Sequence, residues 1–365
     1  MDRALVTRLS LRHFRNIAQG FLEPAERLNL ICGDNGHGKT SLIEGLYVLC
    51  TTKSFRCASI SETIQQGAEF AELAAEVTCL GLPQQLRAKV GERGRSFLLN
   101  GKRPKRHIDY ALSTPVVAFH PGDLLLSSGP ASARRTLLDR VGLHLDPAGA
   151  EARTRHQKAL RERQRLLRQT THSPQLDAYE QVAATSGARM AVSRQRSAAR
   201  IIETFASSFS EVAPSDVLHK ISYLPGGTTD AEVFARELFS RRAKDQLRGG
   251  ATFGPGRDEL QLVLDGRNVR SHASQGQQRL VALCLKLAEL HCVRQVSGQE
   301  PLLLLDDVSS ELDPERTESV FQFLRASLGQ VFVTTTRPEL FADVAREESS
   351  SAQFRVASGA VSQLS

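Results

Sequence analysis

The run Gly33-Asp34-Asn35-Gly36-His37-Gly38-Lys39-Thr40 constrains this chain more than any other eight residues in it. An apolar stretch, Arg27–Cys32, leads into it. Ser41–Leu49 leads out, with Leu42, Ile43, Leu46 and Leu49 at helical spacing. The run fits GxxxxGK[ST]. Its glycines let backbone N–H groups fold around phosphate oxygens, and the helix N-terminus adds the positive end of its dipole. Gly33, Asp34, Asn35, Gly36, His37, Gly38 and Ser41 are therefore expected to cradle phosphate. Lys39 is expected to reach the β- and γ-phosphates of ATP, and the Thr40 hydroxyl to coordinate Mg²⁺.

A strand–loop–helix of this kind predicts an α/β fold, and a second signal supports it. Leu302-Leu303-Leu304-Leu305-Asp306-Asp307 reads as a buried parallel strand whose C-terminal end meets a ligand. Asp306 is expected to hold Mg²⁺, directly or through water, and Asp307 to orient and deprotonate an attacking water. Alone, these residues describe a core strand with a polar exit. Paired with the glycine-rich loop they describe the second half of a nucleotide site. Between the two lies Ser274-Gln275-Gly276-Gln277, then Arg279 and an apolar helix from Leu280. By itself it is a serine-capped helix start.

At 365 residues the chain is expected to form two lobes. The first 120 residues read as short strands and one clear helix, ending near Asn100-Gly101, a type I′ hairpin signal after Phe97–Leu99. Texture turns helical over about 121–250. Asp146-Pro147 reads as an N-cap with proline at the first helical position, and Ser173-Pro174 opens a second helix. Ala152, Ala159 and Leu166 form a seven-residue seam, and the first arm spans about 30 Å, a short antiparallel hairpin. Thr229-x-x-Glu232 predicts a capping box. Arg248-Gly249-Gly250 reads as the return to the first lobe, placing 1–120 and 251–365 in lobe I and 121–250 in lobe II.

Charge separates the lobes. Residues 130–250 hold 20 Lys/Arg against 13 Asp/Glu, whereas the remainder balances at 27 and 27, so the net +7 falls entirely in the middle third. That is the footprint of a lobe that touches a polyanion, with sequence-independent DNA as the hypothesis. Arg153, Arg155, Lys158, Arg161, Arg163, Arg165 and Arg168 are the expected contacts, with Lys102, Arg103, Lys105 and Arg106 as a solvated face held in reserve. Six cysteines without a CxxC pair argue for isolated thiols in a reducing compartment, and against structural zinc. The chain has no run of eighteen apolar residues and no apolar core in Met1–Ser10, so the expected location is the cytoplasm.

Together these motifs resemble the ABC/SMC ATPase superfamily, with Ser274–Gln277 matching its S-x-G-Q signature. Several stretches are similar to the RecF family in particular: Arg12–Asn16, Lys53–Arg56, Val116–Leu125, Arg134–Asp139, Gly254–Asp258, Ala273–Arg279 and Asp306–Asp313. The resemblance implies a P-loop ABC-type ATPase head as lobe I, with the helical lobe II inserted. It implies that Ser274, Gly276 and Gln277 complete the nucleotide site of a second copy in an ATP-driven homodimer. Ser310–Asp313 becomes the D-loop, Thr334–Thr336 stands where transporters carry a switch histidine, and His120 falls near the Q-loop glutamine. Gly256 stands where similar proteins usually carry histidine and Gly122 where they usually carry glutamate, which puts a γ-phosphate sensor role for either stretch in question. Asp307, one methylene shorter than the usual glutamate base, implies slow, DNA-stimulated hydrolysis.

The resemblance further implies recombinational DNA repair and replication restart with RecO and RecR, loading of RecA at gaps, and SOS inducibility. A transporter ATPase subunit is the first alternative, but it would call for a less basic middle lobe. A nuclease-coupled ATPase of the overcoming-lysogenization type is the second, but no residues remain for a metal-dependent nuclease domain.

Overall fold

A computed structural model of the chain describes residues 2–212, 219–307, 329–341 and 350–364. The expected D-loop, 310–313, lies outside the described residues. Two compact units emerge, Met1–Asp123 with Val293–Ser365, and Leu124–Cys292.

The first unit is built on two sheets. A six-stranded sheet runs in the order 360–364, 351–357, 28–32, 331–335, 302–305, 116–119, parallel throughout except for its first pair. Strands Leu28–Cys32, Leu302–Leu305 and Val331–Thr335 are buried along their whole length, as unbroken apolar runs in a parallel sheet require. A five-stranded antiparallel sheet follows the order 17–22, 5–14, 70–79, 82–91, 94–99. Leu5–Phe14 alternates core and solvent: Val6, Leu9 and Leu11 are buried while Arg8 and Arg12 are exposed.

Helix Lys39–Thr51 lies in the core that joins both sheets, and eleven of its thirteen residues are buried. It has no solvent face because apolar partners come from both sides. Leu9, Leu11, Leu73 and Val77 arrive from the antiparallel sheet, and Ile31, Leu304, Phe332 and Phe354 from the other. The hairpin turn at Asn100-Gly101 is present, with φ of 51° and 75° and paired bonds between Leu99 and Lys102.

The second unit has its own core, Leu137, Leu138, Val141, Ile201, Phe205, Phe209, Leu260, Leu262, Leu280 and Leu285 among others. Here the sequence boundary needs correction. Residues 251–292 belong with the helical unit. Strand Glu259–Leu264 pairs antiparallel with His219–Leu224, and helix Gln275–Ser297 fills the second core from Leu280 to Ala288. Pairing to the preceding strand, rather than the glycine pair at 249–250, decides the grouping. Gly249 merely ends the helix Arg242–Arg248 in a left-handed cap.

Helix Pro147–Leu167 starts as expected, with the Asp146 carboxylate accepting from Gly149 N. Its partner, Pro174–Val212, is 39 residues, about 58 Å and far longer than a stubby hairpin arm. The extra length reaches the second core at Ile201, Phe205 and Phe209. The expected cap at Thr229 shifts by one. Asp230 caps Ala231–Ser240, its carboxylate accepting from Glu232 N and Val233 N, since a carboxylate is the stronger acceptor.

Candidate nucleotide site and the basic helix

The glycine-rich loop lies at the C-terminal end of strand Leu28–Cys32, where parallel sheets bind ligands. It opens on a cleft of about 420 Å³ lined in part by Asn35, Gly36, Gly38, Lys39, Thr40 and Ser41. Gly38 has φ 114°, a conformation that L side chains rarely adopt. The loop is also held from outside. Asn16 Nδ2 donates to Gly36 O at 3.0 Å, and Ser41 Oγ donates to Asn16 Oδ1 at 2.9 Å. From another side, Gly359 N donates to His37 O, and a Cβ on Gly359 would lie 2.2 Å from Asn16 O.

Lys39 is nearly buried, its Nζ donating to Gly33 O at 2.7 Å and Asp34 O at 2.9 Å, which aims the ammonium along the loop. Thr40 Oγ1 donates to Asp306 Oδ1 at 2.7 Å, so the structure brings together motifs 266 residues apart. The same Oδ1 accepts from Thr334 Oγ1 at 2.8 Å. Burial raises the Asp306 pKa above the usual carboxylate range. The two hydroxyl bonds oppose the rise, and the neighbouring Asp307 charge adds to it. Asp307 lines the cleft in a left-handed backbone conformation, φ 52°.

Sequence motifs missed three lining residues, Arg15, Asn16 and Arg56. All fall in stretches that carry the family resemblance, but no spacing rule gives them a role. A buried carboxylate on the loop helix organises the two arginines. Glu44 accepts from Arg15 Nε at 3.0 Å and Nη2 at 2.6 Å, from Arg56 Nη1 at 3.3 Å, and from Ser54 Oγ at 2.5 Å. His120 stacks on Phe55 with ring centroids 4.8 Å apart, and a Cβ on Gly122 would sit 2.9 Å from that ring.

In the second unit, Ser274 and Gln277 form a reciprocal capping box. Ser274 Oγ accepts from Gln277 N at 3.2 Å, and Gln277 Oε1 accepts from Ser274 N at 2.9 Å. Ser274 is exposed at this helix start, with Gly276 half-buried beside it. The stretch Gly254–Asp258 is a bracket within the same unit. Asp258 accepts from Arg194, Tyr223 and Gly226 N, while Gly256 is exposed.

The basic helix divides. Arg155, Lys158, Arg161, Arg165 and Arg168 are exposed, and the last four, spaced 3, 4 and 3 residues apart, share one stripe. Arg163 does not belong with them. It is 1% exposed, donating to Glu180 Oε1 and Asp245 Oδ2 at 2.8 Å each and to Leu238 O at 2.7 Å. Arg153 is half-buried against Asp139 at 3.0 Å. Buried positions 149, 152, 156, 159, 163 and 166 alternate steps of 3 and 4, the seam of paired helices, and Arg163 falls on it. That alternation is the sequence signal for its burial.

Comparison with known proteins bears on the fold and the family. The profile of the RecF/RecN/SMC N terminal domain family matches residues 5–358. The DNA replication and repair protein RecF of Anaeromyxobacter sp. (strain Fw109-5) is 36% identical over 366 residues, 98% of each chain. A solved structure of the recombination mediator protein RecF with ATP, from the RecFOR pathway, superposes with TM-score 0.88 at 26% identity. That match covers 100% of this chain and 98% of the other. An Smc head domain of Pyrococcus furiosus shares the fold, with TM-score 0.57 at 18% identity over 99% and 96% of the two chains. Fold, family profile and near full-length identity converge: this chain is an ABC/SMC-type ATPase-fold protein and belongs to the RecF family of DNA replication and repair proteins.

Proposed function

We propose that the chain binds ATP with Mg²⁺ in the cleft at Gly33–Ser41, hydrolyses it slowly, and uses the bound state to dimerise and hold DNA. The bond from Thr40 Oγ1 to Asp306 Oδ1 carries this reading, because it ties the phosphate loop to the acid that follows the buried strand. Thr40 and Asp306 offer hard oxygen donors side by side, the type Mg²⁺ takes when phosphate and water complete its shell. Such an ion would neutralise phosphate charge. Lys39 would bind the β/γ-phosphates, and Asp307 would orient and take a proton from water. Ser274, Gly276 and Gln277, at an exposed helix start, suit the phosphate of a second copy.

Exposed Arg155, Lys158, Arg161, Arg165 and Arg168 would meet DNA backbone without reading sequence. The similarity to a RecF structure with ATP from the RecFOR pathway supports the nucleotide part of this reading. The proposed setting is cytoplasmic, with RecO and RecR as partners, RecA loading at gaps and SOS inducibility.

Lys39→Met should abolish ATP binding measured by calorimetry, and full-strength binding would end the phosphate-loop assignment. Asp307→Asn should bind ATP yet accumulate as a nucleotide-bound dimer by light scattering. Ser274→Arg should bind ATP as a monomer and fail to dimerise.

A further inference from the structure

Strands 302–305 and 331–335 pair in parallel at Leu303 with Val331, Leu304 with Phe332 and Leu305 with Val333. Beyond that point the chain turns at Asp307, and the bond that continues the pairing comes from a side chain. Thr334 Oγ1 donates its one proton to Asp306 Oδ1 at 2.8 Å and accepts from Asp307 N at 2.9 Å. A single hydroxyl thus fixes the carboxylate of the first acid and the backbone of the second.

Three features make this tie stiff. Thr334 is fully buried, so water does not compete for its bonds. Its β-branched side chain has few rotamers to choose among. The left-handed conformation at Asp307, uncommon for a residue with a Cβ though tolerated by aspartate, is the one in which its N–H meets this hydroxyl. Neighbouring Thr335 serves a different bond, its Oγ1 accepting from Arg337 N at 2.9 Å. The hydroxyl at 334 is therefore specific to the two acids.

We infer that Thr334 is a positioning residue for nucleotide hydrolysis, holding Asp306 and Asp307 in fixed relation through one shared hydroxyl. The inference rests on the reading that these acids serve hydrolysis. Thr334 acts through them and need not touch nucleotide. If it were only a packed strand residue, valine, which has nearly the same volume, would replace it without consequence.

The test compares Thr334→Val with Thr334→Ser in the full chain. In the valine variant, hydrogen exchange at the Asp307 amide should accelerate about tenfold while exchange elsewhere is unchanged, which also shows that the variant folds. Its kcat for ATP should fall about 10- to 100-fold with KM within about threefold, the pattern of misplaced groups rather than lost binding. Thr334→Ser should restore both values to within about threefold of wild type. An unchanged amide in the valine variant, an unchanged kcat, or a serine variant as impaired as valine would each overturn the inference. Asp307→Asn, run alongside, separates the two readings. A wild-type rate there removes the hydrolytic reading. A lost rate beside an undisturbed Thr334→Val overturns only the role given to Thr334.

Discussion

Both units bury an arginine–carboxylate cluster, but they differ in what is left at the surface. In the first, the carboxylate is inside: Glu44 is fully buried, while Arg15 and Arg56 keep 19% and 45% of their side chains exposed on the cleft. In the second, both charges are inside. Arg163 is 1% exposed, enclosed by Glu180 and Asp245 at 5% and 0%. A buried anion with cations at the rim presents positive charge to an anionic ligand and holds it in place beforehand. A buried cation ringed by acids presents nothing, and its charge is spent on joining helices. The same residue types leave cations on a cleft in one unit and form a brace in the other.

The largest effect should come from breaking the brace. Arg163→Gln leaves Glu180 and Asp245 without this partner inside the unit, and removing one member of a buried pair costs about 3–5 kcal/mol. Thermal melting should drop sharply, and a change of under about 0.5 kcal/mol, the size of a surface substitution, would mean that the brace is not what joins these helices. Next comes Glu44→Gln, which keeps the shape but removes the charge that holds Arg15 and Arg56. A loss of about 2 kcal/mol in stability is expected, with weaker nucleotide binding by titration. Unaltered binding would show that the rim arginines hold their places without it.

Acid should expose another buried anion of the second unit. Burial alone would raise the Glu289 pKa, yet Arg140 and Lys286 hold it down to about 2. A depressed folded-state value contributes stability that is complete above the unfolded carboxylate range and is lost as pH falls toward 2. Glu289→Gln should therefore flatten the acid limb of the stability profile between about pH 5 and 2, and an unchanged limb would place the acid sensitivity elsewhere.

The smallest effect on stability should come from the exposed stripe. Replacing Arg161, Arg165 and Arg168 with glutamine should change stability by less than about 1 kcal/mol, since the Arg165–Glu162 pair is solvent-screened. The same triple variant should flatten the log–log salt slope of DNA binding by about 0.9 per lost phosphate contact. Keeping Arg163 intact sharpens the comparison, because the brace and the surface are then tested separately. A wild-type slope would direct attention to Lys102–Arg106.

Local chemistry made several elements of both units legible from sequence. The GxxxxGK[ST] loop, the four leucines before two acids, Asn100-Gly101 and Asp146-Pro147 each encode geometry within a few residues, because backbone conformation and capping are short-range effects. Residues 149–168 show where that legibility stops. The sequence displays seven basic side chains and a seam, but whether a given arginine faces water or a carboxylate 82 residues away depends on what packs against it.

The sequence by itself determined the glycine-rich loop between strand and helix, the acid-terminated strand, the Asp146 helix cap and the family. Tertiary structure alone decided that Arg163 is a brace, that Glu44 arranges the cleft's arginines, that residues 251–292 join the helical unit, and that Thr334 ties Asp306 to Asp307. The physical reason is common to all four. Burial and charge pairing are relations between segments far apart in the chain, and no local pattern records which distant partner will meet a side chain once the core closes.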